Sequence, residues 1–131
     1  MRWFFVLLLC SSCVFAVADC PGGRGARKLD YFVGGSMLPV IHPGDDVYYR
    51  VARRAEVGDV VVMRYKNTDF DIRLSAPGGG RPTWLVHRLV TYAHNDGYIL
   101  KGDHNALRDP VVFPRSNLVG VVCFVRHNYR G

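Results

Sequence analysis

The chain has 131 residues, with 17 Lys and Arg against 11 Asp and Glu, and its formal net charge is +6. A chain of this length forms one domain at most. Hydrophobic residues make up 49% of the sequence, which excludes a disordered protein, and 14 Gly with 7 Pro argue against a helical bundle or a coiled coil. A compact β-rich domain remains. The basic residues are scattered along the chain, so the charge alone selects neither nucleic acid nor an anionic membrane surface as a partner.

The N-terminal residues 1–18 predict a hydrophobic export signal or membrane anchor outside the domain. Residues 3–18 carry no charge, and residues 16–18 (Ala-Val-Ala) have the small-x-small form of a cleavage site. A helix of this length spans about 24 Å, which is short of the ~30 Å hydrocarbon core and fits a cleaved signal. A tilted anchor, or one in a thinned bilayer, is the alternative. We expect the domain on the extracytoplasmic or lumenal side, held at the membrane by this single segment or secreted after cleavage near Ala18.

The cysteines divide between the apolar segment and the domain. Cys10 and Cys13 lie inside the apolar segment, where packed or lipid-facing thiols are expected. Cys20 and Cys123 could pair in an oxidising compartment, and the alternative is two unpaired thiols. The five His show no metal-ligand spacing, so we predict no metal site and no cofactor.

After residue 20 the chain alternates between short β-forming segments and turns. No segment there has a helical period. The sequence therefore predicts an all-β domain of short antiparallel strands, preceded by an N-terminal hydrophobic helix and interrupted by a surface loop or flap over residues 67–82. The predicted strands cover residues 46–51, 59–65, 83–93, 98–101 and 118–126.

A turn at Asp96-Gly97 predicts a β-hairpin that bears on chemistry. A two-residue turn would pair Asn95 with Tyr98 and, if pairing continued, would place Ala106 opposite His87. The segment 103–109 would then return to the neighbourhood of His87. This segment contains two carboxylates, and a His beside an Asp is the orienting half of a general base.

The candidate nucleophile is Ser36, which follows Gly34 and Gly35. Paired glycines allow a sharp turn that presents the hydroxyl and frees the Ser36 backbone N–H as an oxyanion donor. Singly, such features are more often structural: Gly-Gly-Ser as a flexible turn, His87 as a buried core histidine, and Asp103 and Asp109 as turn-formers. Together they favour a Ser/His/Asp site.

Four segments, at residues 35–47, 56–64, 86–90 and 101–109, resemble in this order the boxes of the type I signal peptidase family. Residues 35–47 (GSMLPVIHPGDDV) resemble its nucleophile box, and residues 56–64 (EVGDVVVMR) resemble its second Gly-Asp strand. Residues 86–90 (VHRLV) resemble the box of the general base, and residues 101–109 (KGDHNALRD) resemble the Gly-Asp-Asn-Asn box with its later Asp. The resemblance implies a compact signal-peptidase-like β-barrel or sandwich, with residues 19–131 forming a minimal peptidase domain.

The base box distinguishes two groups within that family. The usual bacterial enzymes have Lys before the Arg, whereas the archaeal and endoplasmic-reticulum group has His, and this sequence has His87 before Arg88. Many members also carry a Ser two residues before the nucleophile as a second oxyanion donor, where this chain has Gly34 without a side-chain donor. The resemblance implies Ser36, His87 and Asp109 as the catalytic triad, Asp103 as a supporting carboxylate, and Gly35, Met37 and Pro39 as substrate contacts.

The function implied by the resemblance is that of a serine endopeptidase that removes signal peptides. It would cut exported preproteins after an Ala-x-Ala segment through an acyl-enzyme. Its expected partners are these preproteins, the membrane surface and other subunits of a signal peptidase complex, with no nucleic acid. Two alternatives remain: a catalytically silent β-barrel that acts as a binding module or complex subunit, and a LexA/UmuD-like self-processing protease with Lys66 or Lys101 as the base.

Overall fold

The computed structural model describes residue 20 and residues 25–29, 34–64 and 84–128. Its strands are β1 (Ala26–Leu29), β2 (Asp46–Val51), β3 (Val60–Arg64), β4 (Trp84–Tyr92), β5 (Tyr98–Lys101) and β6 (Leu118–Arg126). They form one antiparallel sheet of six strands in the order β1-β2-β6-β3-β4-β5. A short 3-10 helix, Arg115–Asn117, precedes β6, and the described ranges contain no α-helix. The mainly β prediction is therefore confirmed.

Both faces of the sheet are covered by apolar side chains. In β3, Val61 and Met63 belong to one buried cluster, while Val62 between them belongs to another. Because successive side chains of a strand point to opposite faces, this division means that core material lies on both sides of β3. The first cluster also contains Leu89, Leu100 and Phe113, and the second contains Met37, Ile41 and Val47.

Ion pairs and a disulfide connect the N-terminal segment, β2 and β6. The Lys28 ammonium lies 2.9 Å from Asp46 Oδ1, and Arg126 Nε donates to Asp46 Oδ2 at 3.0 Å. The hydrogen bonds from Lys28 and Arg126 hold the pKa of the Asp46 carboxyl well below its usual range. A disulfide joins Cys20 to Cys123 in β6. The N-terminal and C-terminal segments are thus connected both covalently and by ion pairs.

Most strand positions agree with the sequence prediction. β2, β5 and β6 have the predicted bounds, and β3 and β4 lie within the predicted segments. β1 was not predicted. The N-terminal hydrophobic helix, Lys66 and the loop at residues 67–82 fall outside the described residues. Within the part of the chain that the structure describes, no helix has the length and apolar character needed to cross a membrane.

The predicted register of the β4–β5 hairpin is wrong. Tyr92 pairs with Tyr98, and the Ala93 N–H donates to the Gly97 carbonyl at 2.8 Å, so the connecting loop is longer than two residues. A Cβ at Gly97 would lie 2.5 Å from Val112 Cγ1, so glycine is required there for close packing. Ala106 consequently does not face His87.

We expect the substitution Val62→Ala to lower the free energy of unfolding by about 2 kcal/mol, because it removes two buried methyl groups and leaves a cavity. Val62 is fully buried, whereas Val51 in the same sheet is 57% exposed. Val51→Ala is therefore the matched control, with an expected change within about 0.5 kcal/mol. Urea unfolding of the oxidised protein measures both values. Equal destabilisation by the two substitutions would contradict the assignment of Val62 to the core.

Candidate active site

A tight turn that is anchored in the core carries Ser36. The side chains of Met37 and Ile41 are fully buried. The Ile41 N–H donates to the Met37 carbonyl at 2.9 Å, and the Leu38 N–H donates to the Gly35 carbonyl at 3.2 Å. Two buried residues and two backbone hydrogen bonds hold the turn, while Ser36 itself stays partly exposed.

His87 lies in the middle of β4 and joins Ser36 to Asp109. Its Nε2 is 3.0 Å from Ser36 Oγ, and its Nδ1 is 2.6 Å from Asp109 Oδ2. The side chains of His87 and Asp109 are only 6% and 5% exposed. An ionised carboxylate only accepts hydrogen bonds, so Asp109 selects the tautomer with the proton on Nδ1. Nε2 is then the acceptor for the Ser36 hydroxyl proton.

The backbone of the loop after β5 positions Asp109. The Asp109 N–H donates at 2.8 Å to the carbonyl of Leu100, which is fully buried in β5. Because β5 pairs with β4, this hydrogen bond brings Asp109 beside the strand that carries His87. The contact that was expected from the hairpin is present, although it does not arise from the register that was predicted.

The loop at residues 102–104 packs directly on the Ser36 turn. The His104 N–H donates to the Ser36 carbonyl at 2.9 Å, and the Asp103 N–H lies 3.4 Å from Met37 Sδ. A Cβ at Gly102 would lie 2.6 Å from the Ser36 carbonyl oxygen, so only glycine allows this approach. The contact of His104 with Ser36 uses the His104 backbone, not its side chain.

Asp103 pairs with Arg88, the residue next to His87 in β4. Arg88 Nε donates to Asp103 Oδ1 at 2.8 Å, and Arg88 Nη2 donates to Asp103 Oδ2 at 2.7 Å. Arg88 Nη1 also donates to the Gly58 carbonyl at 2.7 Å. These hydrogen bonds from Arg88 hold the pKa of the Asp103 carboxyl below its usual value. Asp103 thus supports the site by fixing its loop to β4, while Asp109 contacts the imidazole.

The backbone N–H of Ser36 is the candidate oxyanion donor of the nucleophile turn. Among the described residues, the Ser36 N–H donates to no other backbone group. Gly34 has a φ of +109°, which L side chains rarely adopt. A serine at position 34 would therefore be strained, so the backbone disfavours a side-chain oxyanion donor at this position.

The three predicted substrate contacts occupy different environments. Met37 is fully buried in a core cluster, where its apolar side chain anchors the turn. Gly35 is partly buried and Pro39 is exposed. The role of all three in substrate binding remains a prediction.

Sequence reasoning missed two features of the site region. The bidentate pair of Arg88 and Asp103 joins residues 15 positions apart, and no periodic pattern indicates it. A second cluster, formed by His42, Asp45 and His127, lies at the end of β6 and joins residues 82 positions apart. Spacing along the chain could not reveal this cluster, because only the pairing of β2 with β6 brings its members together.

Comparison with known proteins identifies no family for the chain. No protein-family model matches the chain, and no curated protein matches it at a significant level. The chemistry of the site is therefore argued from the positions of Ser36, His87 and Asp109.

We expect Asp103→Asn to lower the free energy of unfolding near neutral pH by about 1 kcal/mol, because it removes the charge that pairs with Arg88. The folded pKa of Asp103 is lowered, so its contribution is complete above the unfolded pKa of about 3.9 and is lost as the pH falls through the folded value. The difference between wild type and variant should therefore shrink below about pH 4. Urea unfolding across pH measures it.

Asp96→Asn is the matched control for that measurement. Asp96 is exposed in the hairpin loop, and its φ of +55° suits Asn equally well. We expect Asp96→Asn to change the free energy of unfolding by no more than about 0.5 kcal/mol. A difference for Asp103→Asn that stays constant down to about pH 2 would contradict the role of the charged pair.

Proposed function

We propose that the chain is a serine endopeptidase of the signal peptidase type, with a Ser/His/Asp triad. The observation that supports this most directly is the pair of contacts from Ser36 Oγ to His87 Nε2, at 3.0 Å, and from His87 Nδ1 to Asp109 Oδ2, at 2.6 Å. A nucleophile, a base and an orienting carboxylate in hydrogen-bond reach of one another are what acyl transfer requires.

The proposed reaction has two steps at a peptide bond. Ser36 Oγ attacks the scissile carbonyl carbon while its proton passes to His87 Nε2. The tetrahedral intermediate collapses when the carbon–nitrogen bond breaks and the leaving amine takes that proton from His87. Water, deprotonated by His87, then attacks the acyl-enzyme ester, and Ser36 recovers its proton as the acid product leaves. The Ser36 N–H supports the negative charge on the carbonyl oxygen in both tetrahedral intermediates.

The burial of the His87–Asp109 pair supports this mechanism electrostatically. When His87 accepts the proton, a positive imidazolium forms beside a carboxylate oxygen 2.6 Å away. Both side chains are almost fully shielded from water, and attraction between opposite charges is stronger in such an environment. The orienting carboxylate can be worth about 10⁴-fold in rate in enzymes of this mechanism.

A Ser/Lys mechanism has less support than the Ser/His mechanism. The group at hydrogen-bond distance from Ser36 Oγ is the imidazole of His87. The Lys101 ammonium donates to the carbonyl of Gly102 at 3.2 Å, and Lys66 lies outside the described residues. These positions favour the archaeal and endoplasmic-reticulum type of signal peptidase over a LexA/UmuD-like self-processing protease.

The proposed substrate is the extended end of a signal peptide with small residues at the first and third positions before the cut. An extended peptide binds by adding a strand through its backbone, and shallow pockets select Ala-like side chains. The six-stranded sheet with core on both faces is compatible with the signal-peptidase-like β-barrel or sandwich that the resemblance implies. We further propose that the enzyme works at the exported side of a membrane, where its apolar N-terminal segment and other complex subunits would hold it.

The decisive experiment measures cleavage of a fluorogenic peptide with an Ala-x-Ala segment, and of a preprotein, by the full chain in detergent. We expect Ser36→Ala and His87→Ala to lower kcat by about 10³-fold or more, and Asp109→Asn to lower it by about 10⁴-fold. Ser116→Ala is the matched control, because Ser116 is exposed in the 3-10 helix, and it should retain full activity.

The outcomes of this experiment separate the three candidate functions. Cleavage that survives Ser36→Ala, or no cleavage by the wild type, would favour a silent binding module. Cleavage that is lost in Lys101→Ala and retained in His87→Ala would contradict the assigned base. Cleavage of the chain's own N-terminal segment alone, with no activity on an added preprotein, would favour self-processing.

A further inference from the structure

A second group of titratable side chains lies outside the candidate active site. His42 and Asp45 belong to the turn that leads into β2, and His127 follows the last residue of β6. One ligand atom from each of the three residues lies within 4.8 Å of the other two. The Asp45 side chain is 4% exposed, whereas those of His42 and His127 are 34% and 37% exposed. A buried carboxylate thus lies beneath two imidazoles that solvent can reach.

The distances from the two imidazoles to the Asp45 carboxylate lie on either side of the ligand spacing around a tetrahedral metal ion. Ligand atoms bonded to Zn²⁺ at about 2.0–2.1 Å are about 3.4 Å apart in a tetrahedral arrangement. His42 Nδ1 is 3.6 Å from Asp45 Oδ2, and His127 Nδ1 is 2.7 Å from the same oxygen. Side-chain rotation of the half-exposed imidazoles accommodates the remaining difference, while the buried carboxylate stays in place.

Backbone contacts hold the Asp45 carboxylate in position and leave it lone pairs for a cation. The His42 N–H donates to Asp45 Oδ2 at 2.8 Å, and the Asn128 N–H donates to Oδ1 at 3.2 Å. The Asp45 N–H donates to the His42 carbonyl at 3.0 Å, which closes the turn. A carboxylate oxygen has more than one lone pair, so Oδ2 can still ligate a cation. Such outer contacts are typical supports of metal ligands.

Neighbouring charges are also compatible with a bound cation. The nearest cationic side chain along the chain is that of Arg126, whose guanidinium is paired with Asp46. Lys28 is paired with the same carboxylate. Asp46 offsets one of these two positive charges, and the Asp45 carboxylate supplies the negative charge that faces an ion.

We propose that His42, Asp45 and His127 form a binding site for a divalent transition-metal ion of the Zn²⁺ type, with water as the fourth ligand. Two imidazoles and one carboxylate are a donor set that suits Zn²⁺ and Co²⁺ and disfavours Mg²⁺ and Ca²⁺, which take oxygen ligands. Ligation by His127 Nδ1 requires its proton to move to Nε2, which exchange with solvent permits.

The bound ion would fasten the turn before β2 to the chain after β6. The turn that carries Ser36 ends at Ile41, directly before His42, so the ion would also restrain the C-terminal end of that turn. The site is separate from the triad in composition, because it shares no residue with Ser36, His87 and Asp109. The ion would link these two segments of the chain, and the proposal does not rest on the proposed peptidase activity.

The test titrates the full oxidised chain in detergent with Co²⁺ after removal of metal by a chelator, and follows the visible absorption of tetrahedral Co²⁺. We expect one equivalent to bind to the wild type and to be displaced by Zn²⁺. His127→Ala should weaken binding about tenfold or more. His94→Ala, which changes an exposed histidine of the β4–β5 loop, is the matched control and should bind as the wild type does.

His87→Ala distinguishes the proposed site from metal binding at the triad, and it too should bind as the wild type does. Thermal unfolding with chelator shows whether each variant is folded, and Zn²⁺ should raise the Tm of the wild type and of His87→Ala but not that of His127→Ala. The proposal is overturned if the wild type binds no Co²⁺, if folded His127→Ala binds Co²⁺ as tightly as the wild type, or if His87→Ala abolishes binding.

Discussion

The hydrogen bond between His87 Nδ1 and Asp109 Oδ2 is the interaction on which the candidate site depends. A carboxylate that is 5% exposed is costly to bury, and it is tolerated only when it is paired and hydrogen-bonded. Asp109 meets this requirement through a 2.6 Å contact with an imidazole that is itself buried. The ring cannot turn without breaking this contact, so Nε2 stays directed at Ser36. Because the buried carboxylate needs this hydrogen bond, the imidazole of His87 keeps its orientation toward the Ser36 hydroxyl.

The alternation of side chains along β4 explains why two carboxylates from one loop have different partners. His87 and Arg88 are adjacent in a strand, so they point to opposite faces of the sheet. Asp109 pairs with His87 on one face, and Asp103 forms two hydrogen bonds with Arg88 on the other. The loop between the two carboxylates is therefore held to β4 at both ends. Because this loop also contacts the Ser36 carbonyl through His104, the same attachment aligns the nucleophile turn with its base.

The sequence was sufficient to predict the elements whose patterns are local. Alternation and β-branched residues identified β2, β5 and β6 with their observed bounds. β1 has the sequence ARKL, in which two successive residues are exposed, so no alternation marks it. The β4–β5 hairpin was predicted, but its register was wrong: Gly97 lies against Val112, and the sequence does not distinguish a glycine in such a contact from a glycine in a two-residue turn.

The sequence predicted which residues belong to the candidate site better than it predicted which of them contact one another. Ser36, His87 and Asp109 stand in ordered boxes, and the structure brings them together. The spacing of the boxes could not decide which carboxylate faces the imidazole. That choice depends on the faces of the sheet to which the side chains of His87 and Arg88 point in β4. The burial of Met37 could not be predicted for a related reason: the sequence shows it beside the nucleophile but not which way its side chain points.

The attachment of residue 20 to the sheet is equally non-local. Cleavage after Ala18 would leave Cys20 as the second residue of the mature chain, within about 7 Å of the new terminus. The disulfide to Cys123 would then hold that terminus to β6. If the apolar segment is retained, it would attach the proposed enzyme to the membrane, and if it is removed, that attachment would be lost. In both cases the disulfide joins residue 20 to β6.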